Sequence, residues 1–145
     1  MKKILITLSI MVLNLCLSLS FVFAEETPRR VLSKNKFGYK TYSGTVKKDG
    51  VCDVTYYIKI RYGISYNPNK YTITYVSQPV IIDKNLQTHG YIYNSADSYL
   101  DEQSFTAKKD SKTKASFHWS FKLVSIVQGK KFIMKSFDDY ATLTV

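Results

Sequence analysis

Residue types that usually carry chemistry are scarce in this chain: two cysteines, two histidines and one tryptophan among 145 residues. Cys16 lies inside the apolar run that opens the chain, so Cys52 is the one thiol of the body and an intramolecular disulfide is excluded there. His89 and His118 fall short of the three or four convergent ligands that a zinc site needs, and no metal or cofactor is expected. After the opening run no segment sustains an apolar stripe of helical period, which argues against a helical bundle. No spacing among the titratable residues forms a catalytic motif, so the expectation is a protein that is not an enzyme.

What the chain has in quantity is alternation. From Val51 to Tyr66 the residues Cys52, Val54, Tyr56, Ile58, Ile60 and Tyr62 alternate with Asp53, Thr55, Tyr57, Lys59 and Arg61. Side chains on a strand point to opposite faces with period two, so this stretch predicts one long, half-buried β-strand.

The opening segment has a different logic. Lys2 and Lys3 precede an apolar run from Ile4 to Phe23, and Val22 and Ala24 stand before Glu25 as a cleavage site would require. That layout predicts a secretory signal peptide over residues 1–24. Retention as an N-terminal anchor is the alternative. Lipid attachment at Cys16 lacks small residues before the cysteine, where Leu13, Asn14 and Leu15 stand. Loss of Lys2 and Lys3 with the leader would leave 19 cationic side chains against 11 carboxylates, a net charge of +8. Such a balance favours contact with polyanions. Export to the cell surface or medium makes specific nucleic-acid binding an unexpected role and leaves anionic cell-wall polymers, acidic glycans, anionic lipids or an extracellular protein as partners. No transmembrane span is expected once the leader is gone.

Residues 25–38, with Arg29, Arg30, Lys34 and Lys36, read as a flexible basic arm. A single domain is expected over 39–145. Its strands would be Tyr39–Lys48, the long stretch just described, Lys70–Val76 with Tyr71, Ile73 and Tyr75 on one face, a short piece at Val80–Ile82, and His89–Asn94. Gln103–Lys109, Lys112–Val127, Lys131–Phe137 and Tyr140–Val145 follow. Asp83–Thr88 reads as a polar connector, Asn94–Ser98 as a loop, and Tyr99–Asp101 as a single helical turn.

Sliding the sequence by sixty-one residues lays Thr45, Lys47, Lys48 and Asp49 on Thr106, Lys108, Lys109 and Asp110. The same offset matches Val54, Tyr56, Ile58, Ile60 and Tyr62 with Ala115, Phe117, Trp119, Phe121 and Leu123, and sets Asn67-Pro68-Asn69 against Gln128-Gly129-Lys130. Two three-stranded meanders follow, each with an apolar face that must be covered. The expected fold is therefore all-β, an antiparallel β-sandwich of six to eight strands, with a closed β-barrel as the alternative. The inward residues would be Cys52, Val54, Tyr56, Ile58, Ile60, Tyr71, Ile73, Ala115, Phe117, Trp119, Phe121 and Leu123.

The strand ASFHWSFKL from Ala115 to Leu123 and the closing ATLTV from Ala141 to Val145 give the chain a loose resemblance to small exported β-sandwich proteins of low-GC Gram-positive bacteria. That group has no established activity, so the resemblance implies a fold and a location and carries over no functional residue.

Among possible sites, Cys52 is in phase with the apolar face and reads as a core thiol. His118 falls on the outward phase and His89 at a strand start, both as surface residues. Asp97, Asp101, Glu102, Asp138 and Asp139 are carboxylates of the type that glycosidases use in pairs, and Asn94, Asp97, Asp101 and Glu102 could offer oxygens to calcium. The stronger surface signal is Tyr57, Lys59 and Arg61, an aromatic ring, an ammonium and a guanidinium about 7 Å apart on one strand face. Such a row suits a sugar face followed by phosphates or carboxylates. The expected function is a non-enzymatic binder of an anionic cell-surface polymer or an extracellular protein, with a membrane-active or bacteriocin-like effector as the alternative.

Overall fold

A computed structural model describes residues 32–91 and 96–145. The expected signal peptide and residues 25–31 of the expected arm lie outside the described residues. Six strands run in chain order as β1 (Lys34–Lys48), β2 (Cys52–Asn67), β3 (Thr72–Gly90), β4 (Ala96–Lys109), β5 (Lys114–Val127) and β6 (Lys130–Thr144). They form two antiparallel meanders, β1-β2-β3 and β4-β5-β6, with β2 and β5 central. The sheets are separate, so the chain is a six-stranded sandwich and not a closed barrel. No described helix is long and apolar enough to cross a membrane.

The central strands follow from their alternation. Cys52, Val54, Tyr56, Ile58 and Ile60 of β2 are buried, as are Ala115, Phe117, Trp119, Phe121 and Leu123 of β5. Burying each large side chain of this kind stabilises the fold by about 1.5–3 kcal/mol, so the two facing rows supply most of the cohesion. Tyr62 stacks on Trp119 with ring centroids 5.4 Å apart, and Phe121 on Phe137 at 4.7 Å.

The outer strands depart from the expected boundaries. β1 begins at Lys34, so Lys34–Gly38 is strand and not flexible arm. Lys36 and Lys40 stand opposite Ile64 and Ile60 and so take the inward phase of this edge strand, a placement that discourages pairing with another chain.

The pieces expected between Lys70 and Asn94 form one edge strand, β3, as far as Gly90. Ile92–Asn94 lies outside the described residues. The expected connector Asp83–Thr88 pairs throughout with β2, with Asp83, Asn85 and Gln87 turned to water and Leu86 turned to the core. Pro79 is tolerated because β3 is an edge and because a bulge occurs there, where Tyr62 faces two residues.

Tyr71, expected inside, is 66% exposed. It closes the turn with φ 47°, so it precedes the strand phase that buries Ile73. Tyr66 faces Ile73 while Ser65 faces Tyr75, leaving Thr74 as a bulge residue that moves Tyr75 to the outer face.

In the second sheet the expected helical turn at Tyr99–Asp101 is strand, paired with β5, and the expected loop residues Ala96–Ser98 open β4. A bulge with Glu102 at φ 48° interrupts β4 after Asp101. The two strands expected from Lys131 onward fuse into β6 through Asp138 and Asp139, which face Ser120 and Trp119.

The offset of sixty-one survives as strand order and apolar phase but not as register. It would carry the Lys48–Cys52 pair onto Lys109–Thr113, yet Lys109 stands opposite Ala115. It would carry Asn67–Thr72 onto Gln128–Ile133, yet the second turn closes at Val127–Lys130. Gln128 and Gly129 have φ of 53° and 75°, the two-residue type I′ hairpin, whereas the Asn67 side chain caps its turn by accepting from Asn69 N at 2.9 Å.

The two meanders also run in opposite senses. Thr88 and Ser98 share a hydrogen bond of 2.6 Å near the start of β4, and Lys112 O near its far end accepts from Ile73 N at 2.7 Å. The two Lys-Lys-Asp turns therefore sit at opposite ends of the sandwich.

Candidate functional site

Tyr57, Lys59 and Arg61 of β2 occupy the outer face of the first sheet, because the alternate residues Val54, Tyr56, Ile58 and Ile60 take the core. Register sets three rows across that face: Tyr39–Arg61–Val80, Thr41–Lys59–Asp83 and Ser43–Tyr57–Asn85. Lys59 and Arg61 do not stand alone. Lys59 Nζ lies 5.3 Å from the Tyr39 ring centroid, and the Arg61 guanidinium carbon lies 5.3 Å from that of Phe37.

Phe37 in turn covers Gly63, where a Cβ would stand 2.5 Å from Phe37 Cδ1. On the inner face the neighbouring pair is reversed, with the Tyr62 ring lying over Gly38. Phe37 and Tyr39 remain about half exposed, at 48% and 54%. Beside Tyr57 a shallow hollow of about 90 Å³ is lined by Thr55, Tyr57, Asn85 and Gln87. Asp83, opposite Lys59, moderates the local positive charge.

The face thus offers two half-exposed aromatic rings, each with a cation over it. Phe37 and Tyr39 were missed in the sequence because they fall at the arm boundary. Their i, i+2 spacing into Thr41 is the signal that they share a strand face.

The remaining candidates are dispersed. Cys52 is fully buried, and its Sγ donates to Ser125 Oγ at 3.4 Å, with Ser125 Oγ donating onward to Asp97 O at 3.2 Å. His89 stands opposite Asp53 on the outer face, away from that thiol. His118 Nε2 is 2.7 Å from Asp138 Oδ1, and its ring stacks on Tyr140 at 4.3 Å.

Of the five carboxylates, Glu102 pairs with Lys122, Asp101 lies 4.0 Å from Lys131 Nζ, and Asp97 caps the next backbone N–H at 2.7 Å. Glu102 and Asp138 reach the rim of one open hollow of about 210 Å³ on the outer face of the second sheet, with Ser120, Lys122 and Ser136. Asn94 lies outside the described residues, and among the described residues no three His, Cys, Asp or Glu side chains group as a metal site.

Asp139 behaves differently, since it takes the inward phase. Its Oδ2 accepts from Tyr42 Oη at 2.9 Å and from Lys40 Nζ at 2.9 Å, while Trp119 Nε1 donates to Tyr42 Oη at 2.7 Å. Lys40, the largest influence, holds the Asp139 carboxyl below the usual carboxylate range. Burial, reinforced by the hydrogen bond to Asp139 against the opposing one from Trp119, pushes the Tyr42 phenol up to about 12. This chain joins β1 of one sheet to β5 and β6 of the other. It ties the sandwich together rather than presenting a reactive group.

Compared with protein families, curated proteins and solved structures, the chain finds no match in any of the three.

Proposed function

We propose that the chain is an exported, non-enzymatic β-sandwich that binds an anionic cell-surface polymer on the flat outer face of its first sheet. The observation that carries this reading is the pair of adjacent aromatic–cation contacts, Phe37 with Arg61 and Tyr39 with Lys59. The exposed part of each ring accepts the ring or polyol face of a repeat unit, and the guanidinium over Phe37 takes a phosphate or carboxylate through paired hydrogen bonds. The signal-peptide layout and the basic balance of the sequence support this reading.

The test is binding to bacterial cell walls, intact or stripped of teichoic acid, across a salt series. Binding should fall on stripping and with rising salt, and Lys59→Ala with Arg61→Ala should weaken it. Each lost exposed pair is worth up to about 1 kcal/mol, so the double variant should bind up to about thirty-fold less. Equal binding by parent and double variant would remove this face from the role.

A further inference from the structure

The end of the sandwich where β1 begins gathers a second charged feature, distinct from the flat face. There the Asn67–Thr72 turn and the β4–β5 loop meet: Ile73 N donates to Lys112 O at 2.7 Å, and Lys109 Nζ donates to Ile73 O. Lys36 Nζ reaches across to Thr144 O at 2.8 Å, and Thr144 stands opposite Lys114. These contacts bring Lys34, Lys36, Lys70, Lys109, Lys112 and Lys114 to one end, all exposed.

The carboxylate side chain among them is Asp110, which accepts from Ser116 Oγ at 2.8 Å. Lysine–carboxylate pairs among the described residues involve Lys40, Lys47, Lys122 and Lys131, none of them at this end. Asp110 offsets one of these six charges, and backbone oxygens occupy one donor each of Lys36 and Lys109, so among the described residues the end keeps a net positive charge, an arrangement that favours an external anion.

Two further residues narrow what that anion belongs to. Leu32, 62% exposed, leads into β1 at this end, and Tyr71, 66% exposed, projects from the turn in a left-handed conformation uncommon for an aromatic residue. A hydrophilic chain would satisfy the lysines but give Leu32 no contact. A bilayer surface uses all of them: lysines meet headgroup phosphates, tyrosine sits at the headgroup level, and leucine enters the edge of the acyl region.

We propose that this end of the sandwich docks on an anionic lipid surface, with the lysines on headgroup phosphates and Tyr71 and Leu32 at the interface. The docking uses other residues than the polymer face and stands independently of it.

The experiment is sedimentation of the full chain with vesicles of phosphatidylcholine containing phosphatidylglycerol, against vesicles of phosphatidylcholine alone. The apolar run near the N-terminus is common to parent and variants, so their ratio reports the lysines. Each lysine near an anionic surface is worth about five-fold in partition, so Lys70→Ala with Lys112→Ala should bind about 25-fold less. Lys47→Ala with Lys48→Ala removes the same charge from the opposite end and should bind within about two-fold of the parent.

Equal losses from the two pairs would reduce the effect to overall charge and overturn the proposal. A Tyr71→Trp variant should shift its emission to the blue on phosphatidylglycerol vesicles, and an unshifted emission in sedimented protein would overturn it as well. Purified wall teichoic acid should leave that emission unchanged. A blue shift with the polymer that is lost in the Lys70, Lys112 variant would assign this end to the polymer instead.

Discussion

Replacing Tyr42 with Phe tests the chain of hydrogen bonds that ties the sheets together. Trp119 is fully buried, so its indole N–H would lose its acceptor with no water to replace it. An unmade buried donor costs about 1–3 kcal/mol. The Asp139 side chain is 32% exposed and keeps Lys40, so water offsets much of its own loss. We expect Tyr42→Phe to destabilise by about 2 kcal/mol, which lowers a urea midpoint by about 1 M.

Asp139→Asn is the control. The amide oxygen still accepts from Tyr42, and what is lost is the ion pair with Lys40, between side chains 46% and 32% exposed, and the exposed bond of 2.8 Å from Tyr140 N to the other carboxylate oxygen. Such pairs are worth about 0–1 kcal/mol. Trp119, the one tryptophan, reports the unfolding. A Tyr42→Phe cost below about 0.5 kcal/mol, or one smaller than that of Asp139→Asn, would refute the reasoning.

pH adds a second check. An unfolded tyrosine ionises near about 10, whereas folded Tyr42 holds its proton to about 12. Its contribution is therefore complete below about pH 10 and is lost as pH rises toward 12. The gap between parent and Tyr42→Phe should shrink over that window. Asp139, depressed by Lys40, contributes above the unfolded value of about 4 and loses that contribution as pH falls below it, so Asp139→Asn should converge on the parent in acid.

Other expectations follow from packing. The Cys52 thiol, fully buried and bonded to Ser125, should react with a thiol reagent only as fast as the protein unfolds, and rapid labelling of the native state would contradict its position. Gly38→Ala drives a methyl into the Tyr62 ring, which packs against Phe117 and stacks on Trp119, and should cost about 1–3 kcal/mol in urea unfolding. Gly63→Ala should cost less, since half-exposed Phe37 can swing toward solvent; the reverse order would refute the packing described for the two faces.

The central strands were legible because both neighbours force strict alternation on them: every inward residue expected on β2 and β5 is buried. Edge strands present one face to water and carry fewer apolar residues. Asp83–Thr88 therefore read as a connector and Asp138-Asp139 as a break, although both are strand. Bulges at Thr74, Ile82 and Met134 each shift the phase by one residue, and a rule of period two cannot anticipate them.

The candidate face was half legible. Tyr57, Lys59 and Arg61 declared themselves by spacing, but the aromatic partners of Lys59 and Arg61 come from β1, and only register brings Tyr39 and Phe37 across. The Tyr42–Asp139 bond joins residues 97 positions apart, and nothing local marks either as the other's partner. The basic end likewise depends on the opposed running of the two meanders, which places lysines from three separate segments side by side.

The meander order has a kinetic consequence. Every strand pairs only with its neighbour in sequence, so each sheet can assemble from local hairpins with short loops to close. We expect the docking of one sheet on the other, when Trp119 meets Tyr62 and Tyr42, to be the slower event, which a Trp119 fluorescence phase later than strand formation in stopped-flow refolding would check. Because one connection alone links the two sheets, that docking can also occur between copies at high concentration, one chain's first sheet closing on another's second. The route from monomer to exchanged dimer thus runs through the connection from β3 to β4.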